Sequence, residues 1–528
     1  MRGYEIATHR APLIATEPPL PESISRRQFL KGATGLAGGA VVAGGVFEGV
    51  QLLGGSGRGS LPSLSSYSVR ASGTVRTFHS RPDLRPPAMT VSAAGSVDDG
   101  YLFLGPWASG GDQPGPLMVD HQAEPVWFNP VSYDPAISSQ WGTNFRTWTY
   151  RGEPVLAWWE GHVAHGGFGQ GEAVLVDTSY REVARVRPAN GRQMDLHELT
   201  ITPEGTALFT CYPPVATLDL VKVGGPSSGP VHDSIFQEVD IRTGRLLLEW
   251  RGLDHVPLTD SYLPMHAPFD FLHINSIDVL PDGNLLLSAR HTWTVYKIDR
   301  RTGQIIWRLG GKSSDFQVDM PARFAWQHDV RHHADGTYTV FDNGSEGDIN
   351  TESRSRGLVL RVDESARTVK LVQQYTHPKP LLAVAMGSVQ ILPSGNVMVG
   401  WGTEPYLSDF SPDGSLRADA QMLSGFKSYR AYRLPWKGIP AHAPALTAKR
   451  SSQTGKTTLY ASWNGATDVA SHWLVHAGPS ASALRSIGVA QRQGFETAIP
   501  LGSTGGYFAV TALDEDGSRL GKSSVVTA

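Results

Sequence analysis

The stretch that most constrains the fold runs from residue 270 to residue 311, where short apolar segments alternate with turns. The segment HINSIDVL at 273–280 alternates apolar and polar residues, as a strand with one buried face does. The sequence PDGN at 281–284 predicts a tight turn, and LLLSARH, TVYKI and QIIWRLG predict three further strands. Four consecutive antiparallel strands of this kind are typical of one blade of a β-propeller.

The same unit recurs along the chain with variation. Four copies share the first turn: PEGT at 203–206, PDGN at 281–284, ADGT at 334–337 and PSGN at 393–396. Two less regular copies precede them, beginning near residues 100 and 147. The sequence therefore predicts an all-β fold in which a six-bladed β-propeller spans residues 71–437.

Composition agrees with this fold and excludes some classes of function. The 528 residues include 58 glycines and 14 tryptophans, and only 18% are charged, which suits an all-β chain with many turns. The net charge of -3 gives no reason to expect a nucleic-acid partner. Because Cys211 is the only cysteine, an intramolecular disulfide and a cysteine-based zinc site are both excluded.

The N-terminal residues carry a targeting pattern. SRRQFLK at 25–31 is a twin-arginine motif, and a weakly apolar, glycine-rich stretch follows to about residue 53. This predicts recognition by the bacterial Tat export machinery and an extracytoplasmic location, secreted or membrane-anchored. No A-x-A site directly follows the stretch, so cleavage and retention as an N-terminal membrane anchor both stay open. We assign residues 1–70 to this signal or anchor and to a Ser/Gly-rich linker at 54–68.

The last part of the chain predicts a second, smaller domain. A Pro/Ala-rich break at 435–444 is followed by short alternating segments up to residue 528. These predict a small β-sandwich at 445–528, and Trp463 with YFAVTALD at 507–514 resembles a fibronectin type III domain. Trp463 and Trp473 are predicted to be core residues of this sandwich.

Three histidines occupy the same place in consecutive repeats. His197, His273 and His328 each lie upstream of the shared turn, near the start of the first strand. That strand lines the central channel of a propeller, so the three imidazoles are expected to face one another at one mouth. Asn275 follows His273 by two residues and shares its strand face, and Arg290 ends the next strand.

This set of side chains favours an oxyanion site over a metal site. Three imidazoles can bind a metal ion, but the fixed charge of Arg290 repels a divalent cation and suits a tetrahedral oxyanion. We therefore predict no metal ion and no other cofactor, with a metal site as the alternative. His291 is expected to point away from Arg290, and Glu198 and Asp329 to point away from the imidazoles, because side chains alternate along a strand.

The motifs around these residues also resemble a known family. They are DLHEL at 195–199, HINSIDVLPDGNLLLSAR at 273–290, QHDV at 327–330 and SVQILPSGNVMVGWG at 388–402. Over about residues 76–435 the chain is similar to the PAPS-independent arylsulfate sulfotransferases, the arylsulfotransferase family. The resemblance implies ping-pong transfer of a sulfuryl group from an aryl sulfate donor to a phenolic acceptor without metal or nucleotide. It implies that His328 is the nucleophile, transiently sulfated, with His197, His273, Asn275 and Arg290 in support.

The sequence leaves two other interpretations open. DRRTGQIIW at 299–307 is similar to a repeat of quinoprotein-like dehydrogenases, which bind a quinone cofactor with calcium, but only one unit shows it fully. A non-catalytic surface-binding propeller is the other alternative, and it does not need three imidazoles in the channel. Candidate residues for an aryl pocket are the aromatic side chains of Trp127, Trp158, Trp159, Phe168 and Trp326.

Overall fold

A computed structural model describes residues 61–68, 73–93, 97–108, 113–131, 140–164, 167–423, 425–502 and 506–528. They belong to one compact unit, residues 49–528, and the fold is all-β, as the sequence predicts. The twin-arginine motif lies outside the described residues. In the part that is described, no helix has the length and apolar character needed to cross a membrane.

Six sheets of four or five strands follow one another between residues 89 and 434 in the described part of the chain. Each runs from an inner to an outer strand. Sheet 1 contains Lys427–Leu434, Tyr101–Trp107, Leu117–Val119 and Pro125–Phe128. Sheet 2 contains Gln140–Tyr150, Glu153–Val163, Gly169–Val176 and Glu182–Val186. Sheet 3 contains Leu199–Ile201, Thr206–Cys211, Ile235–Asp240 and Leu246–Arg251.

The other three sheets contain the clearest sequence repeats. Sheet 4 contains Ile274–Val279, Leu285–Ala289, Thr294–Ile298 and Ile305–Gly310. Sheet 5 contains His328–His332, Thr337–Asp342, Arg356–Asp363, Thr368–Tyr375 and the parallel strand Gln317–Val318. Sheet 6 contains Ser388–Ile391, Val397–Gly400, Tyr406–Phe410, Leu416–Met422 and Met89–Ala93. Outside these sheets lie the hairpin Pro214–Leu218/Gly229–His232 and the 3₁₀ turns Val221–Val223, Gly252–Asp254, Leu258–Asp260 and Met320–Ala322.

The inner strands pack against one another in chain order. Each inner strand contacts that of the next sheet, and the inner strand of sheet 6 contacts that of sheet 1. This pattern is typical of a propeller, whose inner strands surround a central axis. A closed ring of six blades stays a prediction.

The shared turn of the repeats has the conformation that its glycine predicts. Gly205, Gly283, Gly336 and Gly395 have φ angles of 81°, 81°, 77° and 88°. A side chain at such a φ is strained, whereas glycine adopts it readily. Each turn therefore places the preceding inner strand in the same way relative to its sheet.

Two strands come from distant parts of the chain, and the sequence analysis did not identify either of them. Lys427–Leu434 pairs with Tyr101–Trp107 as the inner strand of sheet 1, and Met89–Ala93 pairs with Leu416–Met422 at the outer edge of sheet 6. These pairings join the first and last segments of the predicted propeller, and closure of a propeller requires such pairing.

The C-terminal residues form two further sheets with a common core. One contains Ser63–Leu64, Arg485–Gln491, His472–Gly478, Tyr507–Leu513, Arg519–Lys522 and Val526–Thr527. The other contains Tyr67–Ser68, Glu496–Pro500, Thr457–Ser462 and Ala445–Arg450. Trp463 and Trp473 are buried in the core between them, which confirms that prediction. The predicted linker therefore ends in two short strands of this sandwich, and its fibronectin type III character stays a prediction.

The inner strand of sheet 1 gives a stability prediction at Ala431. Its backbone N–H donates to Ser388 Oγ at 3.1 Å, and its methyl group is buried. Proline removes this donor and clashes within the strand, so Ala431→Pro should lower the free energy of unfolding by about 3 kcal/mol. Ala431→Gly keeps the donor and should cost only about 1 kcal/mol. Urea unfolding followed by circular dichroism measures both, and equal losses would contradict the described pairing.

Candidate active site

The inner strands of sheets 3, 4 and 5 bring the three predicted histidines into one region. His273 immediately precedes an inner strand, His197 lies two residues before one, His328 begins one, and all three are buried. The ring centroids of His197 and His273 are 4.5 Å apart. Tyr429, on the inner strand of sheet 1, lies 5.7 Å from His197 and 6.3 Å from His328 between ring centroids. Tyr429 therefore bridges the two ends of the histidine cluster.

Two of the imidazoles are oriented by carboxylates. Nδ1 of His197 lies 2.5 Å from Asp195 Oδ1, and Nδ1 of His273 lies 2.5 Å from Asp270 Oδ2. Asp195 is itself held by the Gly169 N–H at 2.6 Å. A carboxylate on Nδ1 keeps a proton on that nitrogen and presents Nε2 to the ligand. Neither acid is among the site residues predicted from the sequence, although the spacings D-x-H and D-x-x-H are visible there.

His328 is oriented by an amide instead. Asn343 donates its Nδ2–H groups to the carbonyls of Ala383 at 2.9 Å and Met386 at 3.0 Å. Its Oδ1 therefore faces His328 and accepts a hydrogen bond from Nδ1 at 2.7 Å. Nε2 keeps its lone pair and accepts a longer bond of 3.2 Å from the Met386 N–H. Of the three histidines, His328 is the one held as a neutral base by a neutral partner.

Arg290 lies beside the histidines, and here one prediction is wrong. His291 does not point away, because Arg290 Nη1 donates to His291 Nε2 at 2.8 Å. The strand ends at Ala289 and residues 290–293 form a turn, so strand alternation does not apply. Arg290 also donates through Nη2 to the Val384 carbonyl at 2.6 Å, forms an ion pair with Glu346 and lies 5.4 Å from the Trp326 ring.

Asn275 is buried next to the residue that precedes the strand His328–His332. Its Nδ2 donates to the carbonyl of Gln327 at 2.6 Å, and its Oδ1 has no hydrogen-bond partner among the described residues. An amide nitrogen carries two hydrogens, so one N–H of Asn275 remains for a ligand. An unpaired buried acceptor is costly, which favours a ligand that donates a hydrogen bond beside this oxygen.

A buried charge network lies under this layer of imidazoles. The carboxylates of Glu198 and Asp329 form ion pairs with both Arg430 and Arg331. Burial alone would raise the pKa of Glu198, but the two guanidinium groups outweigh it and lower that pKa to about 2. Glu198 and Asp329 are thus occupied by arginines, which agrees with their exclusion from the predicted catalytic set. Arg430 was missed because its partners come from distant strands.

The predicted aromatic pocket divides into two groups. Phe168 and Trp326 contact site residues: Phe168 lies 6.0 Å from His273 and Trp326 5.9 Å from His291, between ring centroids. The others pack elsewhere: Trp127 and Trp158 share the core of sheets 1 and 2, and Trp159 donates to the Met194 carbonyl in another core.

The environment of His273, His291 and His328 lowers the pKa of all three imidazoles. Burial lowers the pKa of His328 well below its ordinary value, and the charge of Arg290 acts in the same direction. Burial also lowers the pKa of His273 and His291. The pKa of Asp270 is raised, again by burial, although its neighbouring imidazoles and Arg290 oppose the shift. A neutral imidazole beside a cation can supply a nucleophile, and a neighbouring imidazole supplies a proton donor when its Nε2 is also protonated.

A family model shows which protein family the chain belongs to. The model for arylsulfotransferase (ASST) matches residues 147–422. The chain belongs to the arylsulfotransferase family. This match contains all five predicted site residues and supports arylsulfotransferase activity in general, with aryl sulfate and phenol as the implied substrates.

Solved structures show only distant similarity. A Bacteroides caccae protein of unknown function is 14% identical with a TM-score of 0.39, covering 63% of this chain and 98% of its own. A streptogramin B lyase is 9% identical with a TM-score of 0.33, covering 70% and 94%. Virginiamycin B lyase from Staphylococcus aureus is 9% identical with a TM-score of 0.25, covering 82% and 99%. No curated protein sequence matches the chain. Because the TM-scores are below 0.5, these structures carry no functional argument.

Among the described residues, one group of side chains could hold a metal ion, which is the alternative to an anion site. Asp270, His273 and His291 could each offer one ligand atom within 4.8 Å of the others. Arginine only donates, so Arg290 makes Nε2 of His291 the acceptor and fixes the proton on Nδ1. That Nδ1 donates to the Asp270 carbonyl at 2.5 Å and has no lone pair for a metal. The hydrogen bonds therefore favour an anion site.

The lowered histidine pKa values predict a stability that depends on pH. The unfolded chain binds protons near pH 6.5, whereas His273, His291 and His328 bind them only at lower pH when folded. The free energy of unfolding should therefore decrease as the pH falls below about 6.5, by up to about 1.4 kcal/mol per unit for each histidine. Urea unfolding between about pH 7.5 and 5 measures this slope.

Two variants identify the source of the slope. His328→Gln should reduce it, because this variant removes one of the seven described histidines whose pKa is lowered. His442→Gln changes an exposed histidine and should leave the slope unchanged. Equal slopes in the three proteins would contradict the assignment.

Proposed function

We propose that this protein is a PAPS-independent aryl sulfotransferase that works by a ping-pong mechanism through a sulfohistidine at His328. The observation that carries the proposal is which ring nitrogen of His328 holds the proton and which holds the lone pair. Asn343 binds its protonated Nδ1, so the lone pair lies on Nε2, in a buried site that also contains Arg290. A neutral imidazole beside a guanidinium suits attack on an anionic sulfate ester.

In the first half-reaction, Nε2 of His328 attacks the sulfur of an aryl sulfate. The N–S bond forms as the S–O bond to the aryl group breaks, and the bonding pair leaves with the phenolate oxygen. Negative charge on the sulfuryl oxygens is stabilised by Arg290 and by the remaining N–H of Asn275. The Met386 N–H gives up its long bond to Nε2 as the attack begins.

The leaving phenolate takes a proton from Nε2 of His197 or His273, and the ring that donates must enter this half-reaction as an imidazolium, with both nitrogens protonated. The carboxylate on Nδ1, Asp195 for His197 and Asp270 for His273, stabilises that imidazolium, and after the transfer the ring is neutral with its proton on Nδ1. In the second half-reaction the same group takes the proton from a phenolic acceptor, whose oxygen attacks the sulfur and releases His328. The neighbouring rings of Phe168 and Trp326 are suited to contact the aryl groups.

We also propose that the chain is exported through the twin-arginine pathway, on the basis of SRRQFLK at 25–31. Detection of the protein outside the cytoplasm, and its loss when both arginines are replaced by lysine, would support this. Export that persists after the replacement would contradict it.

The first functional test is the loss of transfer in His328→Ala. The full chain is incubated with 4-nitrophenyl sulfate and a phenol acceptor without added metal or nucleotide, and nitrophenolate release is followed by absorbance. Removal of the nucleophile should reduce acceptor-dependent release by about a thousandfold or more. Mass spectrometry of the wild-type protein incubated with donor alone should find one sulfuryl group on the peptide containing His328.

The control is His442→Ala, which removes an exposed histidine and should release nitrophenolate at the wild-type rate. Release from the wild type that continues beyond one equivalent per protein without an acceptor would identify a hydrolase instead. No release with several aryl sulfates, or full release by His328→Ala, would refute the proposed transfer.

A second test identifies the general acid. Asp195→Asn and Asp270→Asn each remove the carboxylate that orients one imidazole, so the variant affecting the acid should lose about 10²–10⁴-fold in turnover. The loss should be greater with phenyl sulfate than with 4-nitrophenyl sulfate, because nitrophenolate leaves without a proton. Steady-state rates with both donors distinguish the two acids, and equal losses with both donors would mean that neither imidazole protonates the leaving group.

A further inference from the structure

The guanidinium of Arg290 already has an anionic partner, the side chain of Glu346. Arg290 Nη2 and Glu346 Oε2 form an ion pair. The arginine side chain is 7% exposed, whereas that of Glu346 is 26% exposed. The cation is therefore fixed inside the protein, and its carboxylate partner reaches it from the side that faces solvent.

Arg290 is otherwise held by groups that a ligand does not need to replace. Nη1 donates to His291, the second contact of Nη2 is with the Val384 carbonyl, and the Trp326 ring supports the guanidinium plane. Nε is buried and has no hydrogen-bond partner among the described residues. The pair of donors Nε and Nη2 forms the side of the guanidinium that binds two oxygens at once. Glu346 forms an ion pair with Nη2 alone, and its Oε2 has no hydrogen-bond partner among the described residues.

The segment that carries Glu346 is a tight turn built on its own hydrogen bonds. Ser345 Oγ donates to Asn350 at 2.6 Å, and the Glu346 N–H donates to the Ile349 carbonyl at 2.9 Å. The backbone is thus held without the ion pair, and the Glu346 side chain can leave Arg290 without unfolding the turn.

We propose that Glu346 is a displaceable counter-ion that occupies the sulfate-binding position of Arg290 until an anionic substrate replaces it. This inference rests on the proposed function, since it assigns Arg290 to the sulfate group of the substrate. A sulfate ester carries one negative charge, so exchanging it for one carboxylate leaves the net charge beside Arg290 unchanged. The ester gains because its oxygens can use both Nε and Nη2.

The same exchange assists release of product. When the sulfated acceptor leaves, Glu346 returns to Arg290 and spares the protein an unpaired buried cation. Glu346 thus weakens the binding of donor and product alike, and it has no part in breaking or forming the S–O bond.

The experiment compares Glu346→Gln with the matched control Glu352→Gln. The control substitution removes the same negative charge at a nearby position of the sequence, but Glu352 is paired with Arg356 and not with Arg290. The probe is methyl sulfate, a monoanion with a poor leaving group, titrated into each full-length protein by calorimetry at constant ionic strength. Glu346→Gln should bind methyl sulfate about tenfold more tightly than the wild type, because no carboxylate has to be displaced. Glu352→Gln should bind it as the wild type does.

Phenol provides a second readout that a structural role would not produce. It is neutral and does not need Arg290, so its affinity should be the same in the wild type and in Glu346→Gln. Glu346→Ala should bind both probes as Glu346→Gln does. It replaces Glu346→Gln in the titrations if the melting temperature shows that Glu346→Gln is not folded. Unchanged or weaker methyl sulfate binding in a folded Glu346 variant, or no binding to any of the proteins, would overturn the inference.

Binding and turnover separate this inference from the proposed function. Tighter methyl sulfate binding in Glu346→Gln together with no transfer from any aryl sulfate would refute the transferase and leave the counter-ion in place. Transfer that depends on His328, together with unchanged methyl sulfate binding in Glu346→Gln, would support the transferase and refute the counter-ion.

Discussion

The buried guanidinium of Arg430 is the interaction on which the centre of the structure depends. From the inner strand of sheet 1 it reaches groups of four other sheets: the side chain of Asn144, the carbonyls of His197 and Asn275, and the carboxylate of Asp329. Placing a cation there is costly unless it is fully paired, and removal of one partner of a buried pair costs about 3–5 kcal/mol. The carboxylates of Glu198 and Asp329 balance Arg430 and Arg331, so the network is electrically neutral.

This network also determines where the site residues lie. Two of the carbonyls that bind Arg430 belong to His197 and Asn275, so the cation holds the backbone beneath two site residues. Burial lowers the pKa of His273 and His328 above it, and each of the three imidazoles has its own Nδ1 partner. Positive charge is therefore concentrated in Arg290 on the ligand side, where an oxyanion would neutralise it.

Much of the fold could be predicted because its signals are local. The shared turn sequences predicted the left-handed glycines, and the alternation of HINSIDVL predicted the inner strand of sheet 4. The repeat position of the three histidines predicted their clustering, since equivalent positions of neighbouring repeats face the same axis. The prediction for His291 was wrong because the strand ends one residue before Arg290, and a turn does not follow strand alternation.

The sequence by itself determined the all-β class, the repeated unit, the place of the histidines and the family. These follow from turn chemistry and from a side-chain period of two, which act over a few residues. Only the tertiary structure decided which charges meet: Arg430 with Glu198 and Asp329, and Arg290 with Glu346. The physical reason is that these pairs join strands and turns far apart in the chain. Their formation depends on how the inner strands close around the axis, and no local pattern records that.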